Sequence, residues 1–568
     1  MEKQPVPDSV YDLKSVKLPY LSGVVLRLFT SLVEGPLGSL LVPSLFASAG
    51  ITWLRKQKYE EPITVNPFSY TGNLAKKSQA VPEHEWPSQP APAAPGFHFT
   101  SVHDYARAYR EGSLTPEDVA IKVLDAIEAS NLAQPPLCAI IAVDRENVLE
   151  QARQASARIK ARKPLSVFDG VPVAVKDEID MRPYPTTVGT RFLGKFPCTQ
   201  DATPVARLRA AGALLIGKAN MHEIGIGVTG LNPNTGTTRN PYDPAHFTGG
   251  SSSGPATAVA AGLCPVAVGA DGGGSIRIPA SFCGTVGLKA TFGRVSEFGA
   301  YPLCWSVAHV GPLAASATDA ALAYAVMAGP DLNDPNSLHQ PEPTLKGWEK
   351  LNMRGLRLGV FWPWFRHASD EVVSVCEALL RQFEKMGATL HEVSIGDLEA
   401  GRVAHTLTIA SEMMQTMSAT YPEHHKEHGM DVRINLALAK AFSATDYVLA
   451  QRVRTRLINN FNKAMENVDM LITPSTGLVA PAIPADALPD GNSDLTTLVE
   501  IMRFATPANL TGQPAISFPA GYNSAGLPIG MQAIGHAWQE ASLLGLALVA
   551  EQLVERREPG IHYNLMQK

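Results

Sequence analysis

Residues 248–291 read TGGSSSGPATAVAAGLCPVAVGADGGGSIRIPASFCGTVGLKAT, and glycine and serine crowd there far beyond their average use. The order is loop, helix, strand, loop. Gly249 to Gly254 is a bare turn, and Pro255 opens a short alanine-rich helix. Cys264 to Ala270 has the unbroken apolar character of a buried strand, and Asp271-Gly272-Gly273-Gly274-Ser275 is a second turn. Two serine-bearing turns thus flank one helix-strand unit. Working outward, Cys138 to Val143, Val171 to Val175 and Ala213 to Ile216 also read as strands, interleaved with helical patterns. Thr115 as N-cap, Pro116 at the first helical position, acidic Glu117 and Asp118, and an apolar stripe at Val119, Val123 and Ile127 mark one such helix. This alternation predicts an α/β architecture with a largely buried sheet. No repeat occurs at solenoid or propeller periods.

The second turn has what acyl transfer requires. Consecutive glycines leave backbone N–H groups uncovered beside a serine hydroxyl, so a carbonyl attacked by Ser275 would set its oxyanion against the amides of Gly272, Gly273, Gly274 and Ser275. Taken alone, G-G-G-S also fits a flexible turn with no chemical role. A serine nucleophile needs a base. His222 and His246 sit in no recognisable frame, whereas the apolar strand Val171 to Val175 delivers Lys176, whose ammonium burial would disfavour. The bland alternative for Lys176 is a salt-bridged lysine, with Asp177, Glu178 and Asp180 at hand. Gly250 to Gly254 also fits G-x-S-x-G centred on Ser252, but the preceding RNPYDPAHFT is polar and twice interrupted by proline, not the strand that such an elbow needs. Gly225 to Gly230 fits G-x-G-x-x-G, yet no helix opens after it, which rejects dinucleotide binding.

Composition narrows the class. The chain has 568 residues, 45% hydrophobic and 18% charged, with 46 glycines and 44 prolines, which excludes disordered, collagen-like and coiled-coil proteins. A net charge of −5 and the lack of a Lys/Arg-rich run argue against nucleic acid as a partner. Six cysteines without C-x-x-C spacing or neighbouring histidines argue for reduced, cytosol-facing thiols and against a metal site. The opening MEKQPVPDSVYDLKSVK is not a secretory signal, so the sequon at Asn509-Leu510-Thr511 is expected to be silent.

Between Leu18 and Leu54 only Arg27 and Glu34 are charged. Gly35, Pro36, Gly38, Pro43 and Gly50 interrupt this stretch, so it reads as a helix from Tyr20 to Val33 and a second apolar helix, rather than one membrane span. The pair would lie on a membrane face or over an apolar site, or else pack on the protein's own core. Arg55, Lys56 and Lys58 follow, which suits an anionic lipid surface. Val81 to Gly96 is Pro/Ala-rich and reads as a linker or extended crossing segment. The expected organisation is an apolar helical module over 1–77, a proline-rich linker over 78–96, and a catalytic domain over 97–568.

Lys176, GGSSSG at Gly249 to Gly254, and DGGGSIRIPASFCGTVGLK at Asp271 to Lys289 resemble the amidase signature family of serine hydrolases. The resemblance runs from about Asp104 to the C-terminus, and includes Gly212 to Asn220, Gly512 to Ile516 and Gly526 to Gly530. It implies a large twisted mixed sheet covered by helices on both faces, and a triad of Ser275 as nucleophile, Ser251 as bridging serine after a cis peptide bond, and neutral Lys176 as base. It further implies supporting roles for Ser252, Arg277 and Asp271, and no metal or cofactor. Two departures stand out: Ala270 where the family usually has threonine, and Ala290 where proline is common.

The N-terminal stretch Leu21 to Leu41, together with Thr237 to Pro241 and Thr248 to Gly254, is similar to plant fatty acid amide hydrolases. That likeness implies hydrolysis of N-acylethanolamines to fatty acid and ethanolamine by a membrane-associated, cytosol-facing homodimer at the endoplasmic reticulum or plasma membrane. Met221 to Thr229 matches a substrate-lining loop, with Gly225 and Ile226 as candidates. The alternatives within the fold are a small-amide amidase, one component of a glutamine amidotransferase, and a catalytically silent lipid-binding protein.

Overall fold

A computed structural model describes residues 11–68, 70–76, 80–90, 94–488 and 490–567. Among these residues, eleven strands form one mixed sheet: β1 (Ile140–Ala142), β2 (Pro172–Lys176), β3 (Leu214–Ala219), β4 (Val266–Ala270), β5 (Val286–Lys289), β6 (Val310–Ala314), β7 (Arg357–Val360), β8 (Thr389–Glu392), β9 (Met470–Pro474), β10 (Ala515–Tyr522) and β11 (Pro528–Gly535). Their spatial order is β1-β3-β2-β4-β6-β5-β10-β11-β9-β7-β8. β2 runs parallel to both β3 and β4, while β4, β6, β5, β10 and β11 pair antiparallel in turn. The four strands read from apolar runs all form, β2 over PVAVK with every residue buried.

Neighbouring residues on a strand point to opposite faces, and each face meets its own layer of helices. Ile516 and Ala533 join the core that holds Val119, Leu322 and Leu543, whereas Ala515 and Ile534 join the one that holds Leu407, Val453 and Leu457. The sheet is therefore covered on both sides, as expected for an α/β protein of this type.

Helices α1 (Gly23–Glu34) and α2 (Gly38–Ser48) form the N-terminal module, bent by 107° across Gly35-Pro36. Among the described residues no single helix is long and apolar enough to cross a membrane. The module is docked on the body: Leu21–Ser22 pairs with Asn492–Ser493, Arg433 binds Glu34, and Arg55 grips Asp446 at 2.8 and 2.7 Å. α1 buries Leu26, Thr30 and Val33 but leaves Val24, Leu28 and Leu32 exposed, so both of its faces are apolar. The module packs on the protein's own core through Phe46, Ile51 and Leu54 and also carries an exposed apolar side.

The described residues of the proline-rich stretch include one 3-10 turn at Glu83–Glu85. It is anchored by buried Val81 and by Glu85, which accepts from the amide of Leu345 at 2.9 Å. The expected module boundary at 77/78 lies outside the described residues. Helix α3 (Pro116–Leu132) starts where the sequence places it, with Thr115 and Asp118 capping each other reciprocally.

The turn after β4 folds around one buried ion pair, Asp271 and Arg277, both fully buried. All five guanidinium N–H donors are used: Nε and Nη2 on Asp271 at 3.0 and 3.1 Å, Nη2 on Asn509 Oδ1 at 2.6 Å, and Nη1 on Ala505 O and Gln532 Oε1 at 3.0 and 2.6 Å. Removing one partner of such a pair strands a buried charge. Arg277→Ala is therefore expected to destabilise the protein by about 3–5 kcal/mol, measured as a lowered denaturation midpoint; an unchanged midpoint would refute this account of the turn.

Candidate active site

Parallel pairing of β2 with β4 sets Val175 opposite Val268, so both strands release their next residues at one edge of the sheet. The C-terminal ends of parallel strands are the usual place for a ligand site. Lys176 ends β2, and the glycine turn begins after Ala270. The other serine turn precedes helix α4 (Ser253–Ala260), which packs on β2 and β4. The amide of Ser252 donates to Ser275 O at 3.2 Å, stitching the two turns together. The Gly250–Ser251 peptide is cis.

Lys176 is 1% exposed, with Nζ 2.8 Å from Ser251 Oγ, 3.3 Å from Ala270 O and 3.2 Å from Glu178 Oε1. The lysine has its carboxylate partner after all, but inside the protein rather than at the surface. Burial pushes its pKa below the ordinary lysine value of 10.5, against the opposing pull of Glu178 and Asp271. Asp177 serves other groups, the amide of Gly189 at 3.1 Å and Lys218 at 3.6 Å, and Asp180 accepts from Thr186.

Ser275 is buried but borders two cavities, and its hydroxyl has no hydrogen-bond partner among the described residues. Gly274 has φ +114°, and a Cβ there would lie 2.6 Å from Ala505 and Ile278, so only glycine fits beneath the serine. The Gly274 amide donates to Asp271 Oδ1 at 2.6 Å, which corrects its expected part in an oxyanion hole. The amides of Gly272, Gly273 and Ser275 have no partner among the described residues. Asp271 also accepts from Ile276 N at 3.1 Å and Asn509 Nδ2 at 2.9 Å. Burial alone would raise its pKa; Arg277, Asn509 and Lys289 outweigh burial and hold the carboxyl ionised well below its usual range.

Ser252, the centre of the rejected G-x-S-x-G pattern, is fully buried and ties the turn to the strand: its Oγ donates to Ala270 O at 3.0 Å. Ala270 thus contributes through its backbone, and the missing threonine hydroxyl leaves the turn anchored. His222 pairs with Asp431 at 2.9 Å and His246 with Asp243 at 2.9 Å, and neither imidazole bonds to Ser251 or Ser275.

One cavity of about 190 Å³ holds Glu178, Glu297 and Asp334 beside Ser251 and Ser275. The other, of about 500 Å³, runs from Ser275 past Gly225 and Ile226 to Leu18, Leu21, Phe29 and Leu45 of the N-terminal module. Gly225 borders both; a Cβ there would lie 3.4 Å from Ser251 Oγ. His405, on the helix Leu398–Met417, escaped the sequence reading. Its Nε2 sits 2.7 Å from Gly272 O, and burial lowers its pKa to about 4, so neutral imidazole donates to and holds the glycine turn. Gln532, and Asn509 beyond its sequon, were missed for the same reason: polar residues far off in sequence carry no local signal for the turn they hold.

A family model named Amidase matches residues 122–544. The chain is 38% identical to the fatty acid amide hydrolase of Arabidopsis thaliana over 98% of this chain and 96% of that one. It is 37% identical to the fatty acid amide hydrolase of Medicago truncatula, again over 98% and 96%. Among solved structures, the peptide amidase of Stenotrophomonas maltophilia superposes with a TM-score of 0.70 at 27% identity, covering 82% of this chain and 99% of that one. The chain belongs to the amidase signature family and has its fold. It is a hydrolase acting on amide bonds.

A neutral Lys176 holds a lone pair for a proton; an ammonium does not. The neutral form prevails above the folded pKa, so activity gained from it rises with pH. The rate of amide hydrolysis is expected to climb along a limb centred below 10.5, read from kcat/KM against pH; a rate that falls across that range would contradict it.

Proposed function

We propose that the chain is a fatty acid amide hydrolase that cleaves N-acylethanolamines, and related long-chain amides and esters, to free fatty acid and ethanolamine at a membrane surface. The observation that carries this reading is the apolar cavity that joins Ser275 to the N-terminal module. At about 500 Å³ it is in the size range of a ligand site. Each methylene transferred from water into such a space contributes about 0.8 kcal/mol.

In this mechanism Ser275 Oγ attacks the amide carbonyl while its proton passes to Ser251 Oγ, and the Ser251 proton passes to Lys176. The oxyanion forms against the free amides of Gly272, Gly273 and Ser275. Collapse breaks the C–N bond as the proton returns from Lys176 through Ser251 to the amine nitrogen, leaving an acyl ester on Ser275. Water then attacks the ester through the same relay and releases the fatty acid. The exposed side of α1, with Val24 67% and Leu28 62% exposed, together with Leu40, offers a lipid surface an apolar contact beside the cavity.

Hydrolysis of N-acylethanolamines should therefore improve with acyl length. Phe29→Asp is expected to raise KM for long acyl chains about tenfold or more, with little change for short ones. A flat chain-length profile, or turnover of glutamine alone, would contradict the reading.

A further inference from the structure

We infer that Glu178 is a positioning residue that orients the neutral Lys176 amine so that its lone pair faces Ser251. The inference rests on the proton relay proposed above and adds to it a residue outside the triad.

The neighbours of Lys176 Nζ decide the orientation. A neutral amine has two N–H donors and one lone pair. Ala270 O at 3.3 Å and the Glu178 carboxylate at 3.2 Å can only accept, so the two N–H bonds go to them. Ser251, at 2.8 Å, is the one neighbour of the three that carries a hydroxyl proton, and it meets the remaining direction, which is the lone pair. Without Glu178 one N–H would be free to turn toward Ser251, and the serine hydroxyl would become an acceptor instead of a donor.

Glu178 is placed for this task alone. Glu178 is 6% exposed, and its carboxylate has Lys176 as its one hydrogen-bonding or ionic partner among the described residues. The two nearby aspartates are diverted, Asp177 to Thr187, Gly189 and Lys218, and Asp180 to Thr186 and Cys198. When Lys176 takes up the serine proton, its three N–H bonds find three acceptors already in place. The carboxylate charge then stabilises an ammonium that exists only part-way through the reaction. The other ionisable groups facing this amine are Asp271 from the turn after β4 and Cys304 from the loop after β5; Glu297, Asp334 and Glu412 surround the latter or line the adjoining cavity. Asp271 is hydrogen-bonded to Arg277 and reaches the amine only through its charge, which leaves Glu178 as the carboxylate in contact with Lys176 Nζ.

The test is the pH profile of amide hydrolysis by Glu178→Gln in the full chain, beside wild type. The amide side chain keeps the shape and removes the charge. The acid limb of kcat/KM is expected to move down by about 1 pH unit, since a nearby carboxylate favours the ammonium. On the plateau, kcat is expected to fall about tenfold with KM within about twofold. A limb that stays in place, or an unchanged plateau, overturns the inference. Glu178→Asp keeps the charge and withdraws it by one methylene. Its limb should stay within about half a unit of wild type while amide kcat falls; wild-type kcat in this variant likewise overturns the inference. Labelling of wild-type Ser275 by a fluorophosphonate separates the two levels. Wild type that hydrolyses amides without labelling at Ser275 removes the relay itself, whereas labelled wild type with an unmoved Glu178→Gln profile removes Glu178 only.

Discussion

The buried pair of Asp271 and Arg277 is the interaction on which the rest of the site depends. Six residues apart, they close the glycine turn into a ring around two charges with no access to water. Every donor on the guanidinium and both oxygens of the carboxylate are used, and the partners come from β11, from Ala505 and the helix Thr506–Thr511 that follows it, and from the turn itself. A buried pair is weak evidence for stability as such, because desolvation offsets much of the attraction. What it supplies here is position. Asp271 takes the Gly274 amide, and so determines which amides beside Ser275 remain free. His405, on the helix Leu398–Met417, holds the same turn through Gly272 O.

A second constraint is electrostatic. Lys176 is useful as a base only if it is neutral, and burial alone favours that state. Its two carboxylate neighbours pull the other way, so the site sets burial, which favours the neutral amine, against charges that favour the ammonium. Two cavities then divide the space at Ser275, one apolar and continuous with the N-terminal module, the other narrow and acidic. An amide bond held at Ser275 has an acyl side and an amine side, and the two cavities differ in the same sense.

Much of this was legible in the sequence because the key groups lie on short local patterns. PVAVK reads as a strand ending in lysine, and the two serine turns are separated by one helix-strand unit, so parallel pairing of β2 and β4 brings them together. The Thr115-Pro116-Glu117-Asp118 start of α3 is equally local. Long-range partners were not legible. His405, Asn509 and Gln532 lie more than a hundred residues from the turn they hold, and nothing in their own surroundings marks them. The Gly274 amide was misassigned because a glycine run does not reveal which N–H a neighbouring aspartate will take. The faces of α1 were also hidden, since apolar residues surround that helix, and only tertiary contact shows that Leu26 turns inward while Val24 and Leu28 face out.

Covalent catalysis at Ser275 is tested most directly by trapping the intermediate. Acid quenching during turnover of a long-chain N-acylethanolamine, followed by peptide mapping by mass spectrometry, should find the acyl group esterified to Ser275. An acyl group on Ser251 or Ser252, or full turnover with no acylated peptide under conditions that trap a slow ester substrate, would contradict it.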